Sequence, residues 1–182
     1  TRLIGERRMH DEFLERFVPL TFLGNHDVTR IASKLHEAEH YAHALVLLLT
    51  LGGTPSVYAG DEQGFHGVKE DRPGGDDEVR PAFPSGPGDL ATLGQEWFRL
   101  HQELIGLRRR HSWLERARTQ VEHLSNEQLV YRSAGEGGAL QVALNLGDDA
   151  VVLPVQGTVL AGEAESVDGG MSVRAHGWVV CE

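Results

Sequence analysis

Asn25, His26 and Asp27 stand in a row within FLGNHDVTR (22–30). They follow VPLTFLG (18–24), an apolar run with the length of a buried strand. A carboxylate and an imidazole side by side at a strand end are suited to binding vicinal hydroxyls and to stabilising positive charge. A plainer alternative is an Asx-type turn in which Asn25 and Asp27 cap a helix starting near Thr29. A second stretch, GGTPSVYAGDEQGFHG (52–67), places Asp61 and Glu62 directly after another short apolar strand. Two carboxylates there are acid/base candidates. The favoured expectation is more modest: loop carboxylates paired with Arg72 or Arg80.

A third pattern, HEAEH (36–40), satisfies the H-E-x-x-H arrangement of zinc peptidases, and His43 extends it. At ~100° per residue, His36, His40 and His43 share one helix face. That face lies opposite the Leu35, Ala38, Ala42 and Leu45 stripe, so the histidines are expected to face solvent. A catalytic zinc needs a cleft and a third ligand. The expectation is no metal site, with adventitious surface binding at most.

The elements that position these residues are legible as periodicities. Leu3, Met9, Phe13 and Phe17 predict a helix over 2–17, ended by Pro19. Ile31, Leu35, Ala38, Ala42, Leu45 and Leu49 predict a helix over 29–51, stopped by Gly52 and Gly53. TPSVYAG (54–60) is the second strand. A long loop rich in Gly, Pro and charge runs from Asp61 to Gly88, and such loops are usually functional. Asp89 is expected to cap a third helix whose apolar face is Leu93, Trp97, Leu100, Leu104 and Leu107. Arg108, Arg109 and Arg110 sit where the helix dipole favours cations, and are expected to be solvated.

Strands alternating with helices indicate a parallel sheet. An eight-stranded α/β barrel takes about 250 residues, so residues 1–117 suffice only for part of one. From 118 to 182 the pattern changes. QLVYRSA, ALQVALNL, AVVLPV, TVLAG, MSVRA and GWVVC are strand candidates, with EGG, GDD and DGG among the turns. This predicts a small all-β sandwich.

Composition narrows the partners. The 182 residues include 27 acidic and 17 basic side chains, for a net charge of −10. That argues against nucleic acid and anionic membranes, both of which want basic patches. A neutral ligand such as a sugar is compatible. One cysteine, Cys181, precludes an internal disulfide and suits a reducing compartment. The longest apolar run, Ala44–Leu51, is far short of the ~20 residues of a membrane helix. A cytoplasmic chain is expected.

FLGNHDVTR resembles the last conserved motif of the α-amylase family of glycoside hydrolases, at the end of barrel strand seven. GGTPSVYAGDEQG resembles that family's strand eight. The long loop, the helix ending LIGLRRRHSWL and the C-terminal β domain fit in order, so the resemblance covers nearly the whole chain. It implies the C-terminal portion of a (β/α)8 TIM barrel (1–117) followed by a β-sandwich domain (118–182). It further implies retaining hydrolysis or transglycosylation of α-glucosidic bonds in starch-like glucans or maltooligosaccharides.

By that resemblance Asp27 is the third carboxylate, the transition-state stabiliser. His26 binds hydroxyls of the same sugar, Asn25 holds the turn and Arg30 supports it. Asp76 and Arg80 have the D-x-x-x-R spacing with which some members hold the non-reducing end. A retaining enzyme also needs a nucleophile and an acid about 5–5.5 Å apart. The family draws these from strands four and five, whose motifs this sequence lacks. The chain is therefore expected to be inactive alone, to need the N-terminal barrel half and to self-associate through bare edges and faces. No cofactor is implied; calcium sites in the family usually draw on the other half. The alternatives are a structural or carbohydrate-binding fragment and, last, a zinc peptidase.

Overall fold

The computed structural model describes residues 16–82, 85–89 and 94–182. The helix expected over 2–17 lies largely outside them, as does Leu93 of the third helix.

Two short strands, β1 (Leu20–Phe22) and β2 (Thr54–Ser56), pair in parallel, with Leu20 opposite Thr54 and Phe22 opposite Ser56. Parallel strands need a helical crossover. Here it comes in two pieces, α1 (Ile31–Lys34) and α2 (His40–Thr50). The single helix expected over 29–51 is broken at Leu35, which is extended. The break has a tertiary cause. Arg30 N donates to Gly67 O, and Ser33 Oγ accepts from Gly67 N, so the first turn is tied to the loop after β2. The chain must then swing back before α2 starts.

The break changes the fate of the histidines. His36 is exposed and lies outside the helix. His43 is 3% exposed, contrary to the solvent-facing expectation. α2 is covered on both sides, so Leu45, Val46, Leu48 and Leu49 are all buried.

The third helix, α3 (Gln95–Arg110), starts six residues after Asp89, with Gly94 rather than Asp89 at its N-cap. Asp89 belongs to a separate 3-10 turn, Pro87–Asp89. Leu104 and Leu107 bury its inner face. Arg108 is not solvated as expected. Its Nη1 donates to Leu49 O and Leu51 O at 2.9 and 2.8 Å, and its Nη2 to Gly53 O. It thereby satisfies carbonyls at the end of α2 that the helix itself leaves bare.

From Arg118 onward the chain is antiparallel sheet. β3 (Arg118–Leu124), β4 (Gln128–Gly135), β5 (Gly138–Asn145), β7 (Val159–Gly162) and β10 (Trp178–Cys181) form one sheet, ordered β3-β4-β5-β10-β7. β6 (Val151–Leu153), β8 (Glu165–Val167) and β9 (Gly170–Val173) form a second, ordered β6-β9-β8. The sequence reading had no candidate for β3 or β8. The polar alternation of RTQVEHL and the brevity of ESV conceal them.

The five-stranded sheet is buried on both faces. Val130, Ala143, Val179 and Cys181 face the second sheet, joining Leu153, Met171 and Val173. The alternate residues Tyr131, Val142, Leu144 and Val180 pack on Leu45, Leu49, Leu104 and Leu107 of α2 and α3. The period-two alternation of strands produces both cores. Thr50 Oγ1 and Tyr131 Oη meet at 2.6 Å across the second one.

Candidate active site

The chain leaves β1 through Leu23 and the buried Gly24, then turns at Asn25. Asn25 Oδ1 accepts from Asp27 N at 2.8 Å, the Asx turn that the sequence suggested. It does not cap a helix: α1 begins at Ile31 with Arg30 at its N-cap and no side-chain cap bond. The turn instead presents His26 and Asp27 outward, their side chains 59% and 61% exposed. His26 Nε2 lies 3.1 Å from Asp27 Oδ2.

Asp76 and Arg80, from the loop after β2, come to the same place. Arg80 Nη2 is 3.0 Å from Asp27 Oδ1 and 2.7 Å from Asp76 Oδ2. Arg80 Nε donates to His26 O at 3.1 Å. Lys69 Nζ pairs with the other oxygen of Asp76, and Lys69 N donates to Thr29 Oγ1 at 3.0 Å. Five of the six candidate residues thus form one connected surface: Asn25, His26, Asp27, Asp76 and Arg80.

Arg30 is the sixth, and it lies beneath rather than on that surface. It is 1% exposed. Its Nη1 donates to Asp61 Oδ1 at 2.9 Å, and its Nη2 to Ala59 O at 3.0 Å and Val79 O at 3.1 Å. The guanidinium sits 4.5 Å from the Tyr58 ring centroid and 5.8 Å from that of Phe65. It ties the end of β2 to the residue preceding Arg80. Asp61 therefore pairs with Arg30, not with Arg72 or Arg80 as expected; Arg72 pairs with Glu70.

Burial pushes the Asp61 carboxyl up to about 6, against the pull of the Arg30 charge. Tyr41 Oη donates to Asp61 O at 2.5 Å, and burial raises that phenol. Glu62 is absorbed locally, accepting from Gly60 N at 2.8 Å and Gln63 Nε2 at 3.0 Å. Gly60 makes this turn possible: φ is +93°, and a β-carbon would stand 2.4 Å from Phe65 Cδ2. The only sequence signal for the Arg30–Asp61 pair is an arginine and a carboxylate following their respective strands.

Among the described residues no group of three or more His, Cys, Asp or Glu is placed to hold a metal ion. No helix among them is long and apolar enough to cross a membrane.

The fold and this surface have relatives. The family model described as "Alpha amylase, catalytic domain" matches residues 6–119, and one described as "Domain of unknown function (DUF3459)" matches 116–181. The chain belongs to the alpha-amylase family. It is 29% identical over 167 residues to a 4-alpha-glucanotransferase of Thermotoga neapolitana, covering 75% of this chain and 36% of that protein. It is 27% identical over 126 residues to a cyclomaltodextrin glucanotransferase of a Bacillus species, covering 69% of this chain and 16% of that one. The debranching enzyme of Nostoc punctiforme superposes with a TM-score of 0.72 at 23% identity, over 90% of this chain and 35% of the other. The chain thus spans about a third or less of the length of these relatives. The architecture is the C-terminal portion of a (β/α)8 barrel followed by a β-sheet domain.

Proposed function

We propose that this chain carries one wall of the active site of a retaining α-glucan hydrolase or transglycosylase acting on starch-like glucans or maltooligosaccharides. The observation that carries this reading is the joining of Asp27 and His26 to Asp76 through Arg80. Two stretches far apart in sequence meet at the mouth of the strand pair.

In this reading Asp27 stabilises the positive charge that develops at the ring. His26 and Asp27 bind adjacent hydroxyls, and Asp76 and Arg80 hold the next sugar. Asn25 fixes the turn and Arg30 holds the loop from below. The nucleophile and the general acid come from sequence outside this chain, so the chain alone turns over nothing. Residues 1–117 act as the barrel portion and 118–182 as the β domain that braces it. The single buried thiol, Cys181, suits a cytoplasmic protein.

The test compares release of reducing ends from maltoheptaose by this chain and by the same chain extended upstream through the remaining strands. Activity only in the longer protein supports the reading. Sugar release by the short chain overturns its incompleteness. Inertness of both on every α-glucan tried moves a structural or carbohydrate-binding role ahead.

A further inference from the structure

His40, the first residue of α2, reaches across to the β domain. Its Nε2 lies 3.1 Å from Nδ1 of His176, in the turn between β9 and β10. The other nitrogen of His176, Nε2, lies 3.1 Å from Asp148 Oδ1 in the turn after β5. One turn further along α2, His43 Nε2 donates to Gly177 O at 2.9 Å. Three elements are therefore joined through Asp148, His176 and His40.

The middle residue is conformationally costly. His176 has φ of +49°, and no other non-glycine among the described residues has a positive φ. Such a backbone persists only where its surroundings over-determine it. The turn is fastened to its own domain by His176 N to Gly147 O at 3.1 Å, Asn145 N to Gly177 O at 2.9 Å and Asn145 Nδ2 to Arg174 O at 2.8 Å. The imidazole pair and the His43 bond connect it to α2.

Proton counting shows what that pair can tolerate. With both rings neutral, His176 Nε2–H donates to Asp148 and His40 Nε2–H donates to His176 Nδ1. With one proton added, His176 donates from both nitrogens, and neutral His40 accepts. With two, Nδ1–H and Nε2–H point at each other and both rings are cationic, so the bond is lost.

We propose that the Asp148–His176–His40 chain is a proton-operated latch between α2 and the β9–β10 turn, closed with at most one proton on the pair and open with two.

His176 also lines a groove of about 770 Å³ between α2, α3 and the β domain. From the helices, Glu39, Glu96, Arg99 and Glu103 face into it, with His43 beside His40. From the β domain come Glu163 and Arg174, with Asp148 behind His176. The His40 variant separates an opening driven by the imidazole pair from one driven by these carboxylates. His43 pulls the same way: burial holds its proton affinity down, so acid favours the state that exposes it.

Trp97 and Trp178 line the groove and report on it once Trp113, which lies outside it with its ring 6.0 Å from that of His111, is replaced by Phe in every protein compared. The experiment follows tryptophan emission of the full chain from pH 8 to 5, with far-UV circular dichroism as the check on folding. Wild type is expected to show one transition in the histidine range with unchanged circular dichroism. His40→Gln removes most of it, because a doubly charged pair cannot form and only the pull of buried His43 is left. His176→Gln does the same; if that variant fails to fold at its left-handed position, His40→Gln carries the test. Flat wild-type emission overturns the proposal. So does a transition that persists unchanged in His40→Gln, which assigns it to His43 or to the groove carboxylates.

Discussion

Arg80 Nη2 lies 3.0 Å from Asp27 Oδ1, although the two residues are 53 positions apart. The same nitrogen lies 2.7 Å from Asp76 Oδ2. One guanidinium thus sets the separation of two carboxylates that belong to different loops. A planar donor fork suits this task, whereas an ammonium supplies a point charge with no fixed directions.

Arg80→Met tests the pairing. Both partners are largely in solvent, at 45% and 61% exposure. Exposed pairs contribute about 0–1 kcal/mol, so the melting temperature is expected to move little. In the complete enzyme KM for maltooligosaccharides rises, while Arg80→Lys recovers only part of it. A large loss of thermal stability with unchanged KM makes Arg80 a structural residue instead.

The Arg30–Asp61 pair is predicted to respond asymmetrically. Arg30→Met strands a buried carboxylate and costs about 3–5 kcal/mol in urea denaturation. Asp61→Asn is milder, because the amide oxygen still accepts from Arg30, which keeps two carbonyl partners and two ring faces. The pH dependence has a definite sign. Asp61 at about 6 lies above the ordinary carboxylate value of about 3.9. Its contribution is therefore fully present below about pH 4 and lost as pH rises through about 6. His43 and His101, held low by burial, act oppositely: their contribution fades as pH falls below about 6.5. The wild-type minus Asp61→Asn difference in unfolding free energy isolates the carboxyl. It should decline from pH 4 to 6; a rise contradicts the assignment.

How far the site was legible follows from how locally it is built. The NHD turn and the GDE turn were readable because each is a contiguous run behind an apolar strand. The family resemblance named Asp27 and Arg80 as separate site residues; their direct contact joins loops 53 residues apart and had no local signal. Arg30–Asp61 was invisible because neither residue signals burial: arginine and aspartate ordinarily read as surface. The break at Leu35 was missed because the apolar stripe runs on through it, while bonds from Arg30 and Ser33 to Gly67 override the periodicity. Arg108 was misread because a basic run at a helix end has a sufficient local explanation in the dipole. Its actual partners lie 55 to 59 residues away.

Self-association is expected of this chain by itself. Leu20 and Phe22 on β1 are 63% and 51% exposed, and Phe17 beside them 52%. Among the described residues β1 pairs with β2 alone, and exposed apolar side chains on such a strand invite pairing. Light scattering should show dimers or larger species, and Leu20→Lys with Phe22→Lys should reduce them. A monomer at all concentrations contradicts this.

The most direct test of the account is Asp27→Asn in the complete enzyme, assayed for kcat and KM on maltoheptaose. Asn keeps the shape and the Asx turn but removes the charge. The expected result is a loss in kcat of about 10²–10³-fold, the scale for deleting one electrostatic stabiliser, with an unchanged melting temperature. A variant that retains wild-type kcat contradicts the role assigned to Asp27 and with it the reading of this surface as an active-site wall.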